Sequence, residues 1–322
     1  MSDSAPGAEP PTRAPYLRRL LRPAFMLAFL GLAVHVLLPQ FGELGPAFSA
    51  LSSGRWPFLL LAVIGSSTTY VAGAFMVRVA VDDPPPLSTT IGAQVAATTA
   101  ATLTPAGLGW IALNERFLVK HGIAQSTARV AMTINMVLTL VSHIGLLVIL
   151  VPLIPTLSLP KVPEATERVV LDVTVVVAVL AGIGLWIPRL RSRVASMVRP
   201  FMSVTPSILG NPKRTVLMIA AAVGANVAYG LALYWAIAAF GGTPLLIGVL
   251  VGYLIAATVA AVAPTPGGLG AMEAALVAAL TRLGVPTGEA VAGALAFRLA
   301  TFWLPLAAGA VLLRVGRSRD WL

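Results

Sequence analysis

Apolar residues in this chain neither alternate nor stripe; they run in blocks. Six blocks, at about 24–41, 57–81, 130–153, 169–187, 215–240 and 287–313, have the length and character that carry a helix across a bilayer. Two further regions fit that pattern badly. Residues 88–122 are polar and rich in Thr and Ala, and 244–283 are apolar but cut by the stretch APTPGGLGAME at 263–273. The pattern predicts an all-α polytopic membrane protein with six firm spans and two broken segments. Residues 1–22, rich in Pro, Ala and charge, read as a disordered tail, 23–315 as a single transmembrane domain, and 316–322 as a short second tail.

Charge sets an orientation on these blocks. Arg13, Arg18, Arg19 and Arg22 precede the first span; Arg189, Arg191, Arg193, Arg199, Lys213 and Arg214 fill the central loop; Arg314, Arg317 and Arg319 follow the last span. The positive-inside rule places all three on the cytoplasmic side, so both termini are expected there. The 42–56 loop, with Arg55 alone, and the 154–168 loop, where Lys161 and Arg168 balance Glu164 and Glu167, are expected outside. Parity then requires each broken segment to return to the face it entered or to cross twice. The first enters from the cytoplasm and the second from outside. That arrangement predicts an inverted-topology repeat, with repeat one at about 23–153 and repeat two at about 169–315, each holding three spans and one re-entrant or broken hairpin.

The two broken segments also share a motif. LTPAGLGWIALNERFLVKHGI (103–123) and PTPGGLGAMEAALVAALTRLGV (264–285) both carry Thr-Pro-small-Gly-Leu-Gly, then a glutamate, then a Leu-rich turn ending in a basic residue and Gly. Unpaired backbone groups are costly in hydrocarbon, so a Pro/Gly break at depth implies protein or a water-filled cavity to satisfy them. Thr104, Pro105, Gly107 and Gly109 form one expected tip; Thr265, Pro266, Gly267, Gly268 and Gly270 form the other. The prolines would end the incoming half-helix and the glycines permit a tight reversal. The outgoing half-helix then turns its free N–H groups and positive dipole end toward the tip, which suits an anion such as a lipid phosphate. The plainer reading is that these glycines only let helices pack closely, as GVLVG at 248–252 is expected to do.

Charged side chains add candidates. Glu273, three residues past Gly270, either caps its own helix or is an ion-responsive carboxylate in a transport cavity. Arg298, inside the last span, should face the interior and meet Glu273 or a substrate phosphate. Glu115, beside Arg116, reads as an interfacial ion pair or as the first-repeat counterpart of Glu273. Arg129 reads as a snorkelling boundary residue or a weaker counterpart of Arg298. Tyr70, Asn135, His143, Asn226 and Tyr229 are expected to make interhelical hydrogen bonds, and Trp56 and Trp303 to anchor at interfaces.

Composition narrows the function classes. The chain is 57% hydrophobic and 11% charged, with a mean hydropathy of +0.89. Its length is consumed by membrane segments. The net charge of +10 sits in short loops between spans, which argues against nucleic acid as a partner. With no cysteine, disulfides and thiol catalysis are excluded. The three histidines show no metal-ligand spacing, there is no HExxH or GxSxG motif, and no metal or cofactor is expected.

PTPGGLGAMEAAL, followed by FRLATFWLPLAAGAVLL, resembles the transmembrane domain of lysylphosphatidylglycerol synthases, the flippase portion of bacterial multiple-peptide-resistance-factor proteins, over about 24–314. The first motif departs from that family's Pro-x-x-Gly-Glu-type pattern, its glutamate displaced to Glu115. The resemblance implies a multi-pass protein of the bacterial plasma membrane that moves lipids with large or charged headgroups between leaflets. It does not imply the synthase activity, so a transporter and not an enzyme is expected, with an aminoacylated phospholipid, a glycolipid or a polyprenyl-phosphate-linked sugar as substrate. Two other readings stay open. One is a membrane scaffold that docks a glycosyltransferase or lipid synthase through RLRSRVASMVRP (189–200); the other is a secondary transporter for a soluble anion.

Overall fold

The computed structural model describes residues 54–102, 104, 107–154, 205–206, 208–263, 265–319 and 321–322. The described residues are helical, with no strand among them. Four helices are long and apolar enough to cross a bilayer: α1 (Trp56–Val79), α4 (Gln125–Leu150, running on to Leu153 in a final tight turn), α5 (Pro212–Ala238) and the segment Thr287–Ser318. They correspond to the expected spans at 57–81, 130–153, 215–240 and 287–313. The expected spans at 24–41 and 169–187, the N-terminal tail and the basic loop 189–200 lie outside the described residues.

Both broken segments fold as pairs of short helices. α2 (Leu87–Thr102) has 16 residues and α3 (Leu108–Lys120) has 13. Likewise α6 (Leu246–Val262) has 17 and α7 (Ala271–Arg282) has 12. At 1.5 Å per residue these are about 18–26 Å long, short of the roughly 30 Å hydrocarbon core. The last span is itself interrupted: α8 (Thr287–Arg298) passes through a π turn (Leu299–Trp303) into α9 (Leu304–Ser318). Pro305 explains the interruption, since it has no N–H to bond the preceding turn.

Local chemistry sets several boundaries. Pro212 opens α5, where its missing N–H costs nothing, and the Asn211 side chain accepts from Lys213 N at 3.0 Å and Arg214 N at 3.3 Å. α3 and α7 end alike. Gly122 and Gly284 take left-handed φ of 89° and 83°, and the following Ile123 and Val285 bond back to Leu118 O and Leu280 O, each at 3.1 Å. This is the glycine-terminated helix end that leaves an apolar residue packed under the last turn.

α1 and α5 form the most extensive contact and run antiparallel. Arg55, ahead of α1, donates to Ala238 O at 2.6 Å at the far end of α5, while Asp82, beyond α1, pairs with Arg214 at 2.6 Å at its start. Gly65 lets them close, because a Cβ there would lie only 3.4 Å from Ala232. Each end of this pair supports one core. Leu59 and Ala62 join Leu233 and Ile237, then Val249, Leu276, Leu280 and Phe297, around the second hairpin. Val77 and Ala80 join Met218, then Ala93, Phe117, Leu118 and Met132, around the first. Gly248 and Gly252 face Leu283 and Ala279 of α7, so GVLVG does serve close packing, as its spacing suggests. Residues 321–322 pack back on the first core: Leu322 is buried, and Lys120 Nζ donates to Leu322 O at 3.0 Å.

Candidate functional site

Each hairpin reverses through its TPxGLG motif, but the two tips use the motif differently. In the first, α2 stops at Thr102 and Gly107, with φ +69°, opens α3. The Thr104 hydroxyl accepts from Gly109 N at 2.7 Å and donates to Ala100 O at 2.9 Å. Gly109 is buried in the first turn of α3, where a Cβ would collide with the Ala100 carbonyl. The outgoing helix therefore lies directly against the incoming backbone. Pro105 lies outside the described residues.

In the second tip, α6 ends at Val262 and Pro266–Gly268 makes a tight turn. Gly267, Gly268 and Gly270 take φ of +62°, +65° and +79°, conformations that L side chains seldom adopt. A Cβ on Gly268 would lie 2.6 Å from the Ala260 Cβ. Thr265 donates to Leu269 O at 3.0 Å, whereas Thr104 accepts from the outgoing chain. Gly270 precedes α7, and no side chain caps that helix. Its first N–H groups therefore remain available at the tip.

Arg298 and Glu273 meet at this second tip. Arg298 Nε donates to Glu273 Oε1 at 2.6 Å and Nη2 to Gly267 O at 3.3 Å. Its guanidinium carbon lies 4.3 Å from the Phe302 ring centroid, a cation–π contact. One arginine thus joins α8, the start of α7, the tip turn and the π turn. Only 7% of Arg298 is exposed. Glu273 Oε2 is buried and has no partner among the described residues. Because the carboxylate is engaged by Arg298, the structure does not use Glu273 as the cap of its own helix. Ser66 of α1 donates to Ala300 O at 2.9 Å, which ties the π turn to the first half of the chain. α2 also touches the 266–268 turn.

The first half has a carboxylate–arginine pair of its own. Arg129 Nη2 donates to Glu115 Oε1 at 2.9 Å, and Gln125 Nε2 approaches the same oxygen at 3.3 Å. The pair joins α3 to α4, as Glu273–Arg298 joins α7 to α8. It lies further from its tip, Glu115 being six residues past Gly109, and Arg129 keeps 57% of its side chain exposed. Arg116 is not the partner of Glu115, because neighbouring residues on a helix point apart. Thr104, Gly107 and Gly109 are thus brought together, as are Thr265, Gly267, Gly268, Gly270, Glu273 and Arg298. Glu115 and Arg129 pair with each other away from both groups.

Of the polar residues inside spans, His143 and Asn226 bond across α4 and α5 at 3.1 Å. The Asn135 amide is buried without a partner among the described residues, and the buried Tyr70 hydroxyl faces Thr98 of α2. Tyr229 lies within hydrogen-bonding reach of Thr69 of α1 and stacks on Tyr253 at 5.5 Å, and Tyr253 meets Phe297 edge-on at 6.0 Å. Sequence reasoning does not reach the role of Phe302 and the π turn, although Pro305, four residues after Thr301, is a legible sign of a disturbed span. Trp56, 71% exposed at the start of α1, sits where an interfacial anchor would.

Long apolar helices around two short-helix hairpins, with an ion pair held at membrane depth, define a polytopic membrane protein. Residues 21–309 match the family described as the lysylphosphatidylglycerol synthase TM region, and the chain belongs to that family. No curated protein matches it.

Proposed function

We propose that this chain is a lipid translocase of the bacterial plasma membrane, moving an anionic, aminoacylated or glycosylated lipid between leaflets. The observation that carries the reading is the Arg298–Glu273 pair, buried beside an uncapped helix start. A buried arginine with a single carboxylate partner is expensive at membrane depth unless it also serves a ligand. The α7 N–H groups and the guanidinium together suit a phosphate, and the unpartnered Oε2 of Glu273 suits an ammonium or a sugar hydroxyl. In this scheme a lipid headgroup enters a groove at the tip and draws Arg298 from Glu273, while the acyl chains stay in the bilayer.

The lipid-related character of the family supports the same reading. The architecture expected of such a protein is an inverted repeat with both termini cytoplasmic and two re-entrant hairpins. Antiparallel α1 and α5, the matching hairpin order and the two cores at opposite ends of that pair support it. The test is a leaflet assay in proteoliposomes with fluorescent phospholipids and a polyprenyl-phosphate analogue. Protein-dependent movement abolished in Arg298→Ala and impaired in Glu273→Gln is the expected result. Movement preserved in both, at equal incorporation, removes this assignment of the site. No movement of any lipid by folded protein removes the translocase and favours a scaffold for a glycosyltransferase or lipid synthase.

A further inference from the structure

His143 stands about two-thirds of the way along α4, in an apolar span whose other polar residues include Asn135 and Ser142, and both of its ring nitrogens are engaged. Nδ1 lies 3.1 Å from Asn226 Oδ1 of α5. Nε2 lies 3.1 Å from Leu254 O and 3.0 Å from Thr258 Oγ1, both of α6. The orientation of Asn226 is fixed by its other atom: Nδ2 donates to Ala222 O at 3.0 Å, so turning the amide over would set oxygen against oxygen. Nδ1 therefore faces an acceptor and must carry a proton. At Nε2 the surroundings allow two states. Thr258 Oγ1 also lies 2.9 Å from Leu254 O. When its hydroxyl donates to that carbonyl, Nε2 faces acceptors alone and must be protonated, giving an imidazolium. When the hydroxyl turns to Nε2, it donates to a neutral ring.

We propose that His143 is a reversible proton-binding site at membrane depth, read by the Thr258 hydroxyl. One proton enters at Nε2 and leaves from the same atom, and the hydroxyl rotates between Leu254 O and Nε2 to suit. Imidazole plus a proton gives imidazolium, with no heavy atom required to move. The ring is only half-buried, and its Thr258 edge is exposed among the described residues. Among those residues no carboxylate contacts it. The charged and titratable groups of the elements packed against α4 are Arg78 on α1, Glu115, Arg116 and Lys120 on α3 with His121 just beyond it, and Lys213 and Arg214 at the start of α5. Glu115 is engaged by Arg129, which is fourteen residues, or about 21 Å, along α4 from His143. The other ionisable side chains on these helices are the phenols Tyr70 of α1, Tyr229 and Tyr234 of α5 and Tyr253 of α6. The proton's charge is thus met by dipoles: one amide, one carbonyl and one hydroxyl.

The matching contact in the other half has no such group. There Thr99 of α2 donates to Leu306 O of the last span at 3.0 Å. The two halves consequently differ in that one junction between hairpin and span can be charged and the other cannot. The use of this proton as the coupling ion rests on the translocase reading; the site itself does not.

The experiment is nitrogen NMR of the full chain in lipid nanodiscs with labelled histidine, the His143 signals being identified by their loss in His143→Gln. Between about pH 5 and pH 8 the expected ring passes reversibly from doubly protonated to neutral, and the neutral form is the Nδ1–H tautomer. Thr258→Val, nearly the same shape, removes the one donor that faces Nε2 while Nδ1 still faces Asn226 Oδ1, so the doubly protonated ring should persist to higher pH than in the unaltered chain. A ring fixed in one state across that range, or one already Nε2–H in the unaltered chain, overturns the inference. A chain that moves no lipid while His143 titrates in this way keeps the proton site and loses the translocase. Lipid movement beside a fixed ring keeps the translocase and loses the proton site.

Discussion

The same six-residue motif builds two hairpin tips that differ in what they hold. At 104–109 the break is closed by Thr104 on Gly109 N–H, and the glycine lies against the Ala100 carbonyl. At 265–270 three glycines turn left-handed, α7 starts without a cap, and Arg298 binds both Glu273 and the turn. Each half has a carboxylate–arginine pair, one joining α3 to α4 and the other α7 to α8. In the first half it has moved toward the outer end of the hairpin, where Arg129 is exposed. The motif therefore fixes where the helix breaks, and the placement of one charge pair distinguishes the two breaks. Burial is the quantity that separates them.

The largest expected effect falls on that pair. Arg298→Ala strands the Glu273 carboxylate in a largely buried place and should cost about 3 kcal/mol, read as a lowered unfolding midpoint of the protein in detergent. Next come the close approaches. Gly109→Ala and Gly268→Ala each drive a Cβ into the opposite helix and should lose about 1–3 kcal/mol, the first by meeting a backbone carbonyl and the second by adding a left-handed φ to its clash. Gly107→Ala sharpens this point. Its φ is +69° but nothing lies within 4 Å of a new Cβ, so only the backbone cost of about 1–2 kcal/mol is expected. Comparing Gly107→Ala with Gly109→Ala by thermal melting separates conformation from contact within one tip. Arg129→Ala should be the mildest, at most about 1 kcal/mol and reduced by salt, as for an exposed pair. Equal losses in Arg129→Ala and Arg298→Ala would erase the contrast between the tips.

Much of this is legible in the chain. Blocks of apolar residues mark four spans that agree with α1, α4, α5 and the last span, because hydrocarbon demands long runs of one character. The Pro/Gly clusters locate both reversals, since few other residues permit them. The interior placement of Arg298 and its meeting with Glu273 follow from the cost of a lone charge at depth. Other features are not legible. Glu115 stands beside Arg116 in the chain, yet it binds Arg129 from the next helix. Gly107, Gly109, Gly267, Gly268 and Gly270 look alike in sequence, yet Gly109 is needed for contact, Gly107 for conformation and Gly268 for both. His143 is one polar residue among several, and its three partners come from α5 and α6, 83 to 115 positions away.

Sequence by itself determined that this chain lives in a membrane, where its helices break, and that an arginine and a glutamate lie inside. Those are one-dimensional consequences of solvent: hydrocarbon excludes charge and unpaired backbone residue by residue, so the cost is written locally. Which glycine turns and which merely yields, which carboxylate each arginine takes, and where a histidine finds its acceptors depend on neighbours brought from distant helices. Packing and hydrogen bonding act over a few ångströms in space, and only the tertiary structure decides which residues fall within that distance.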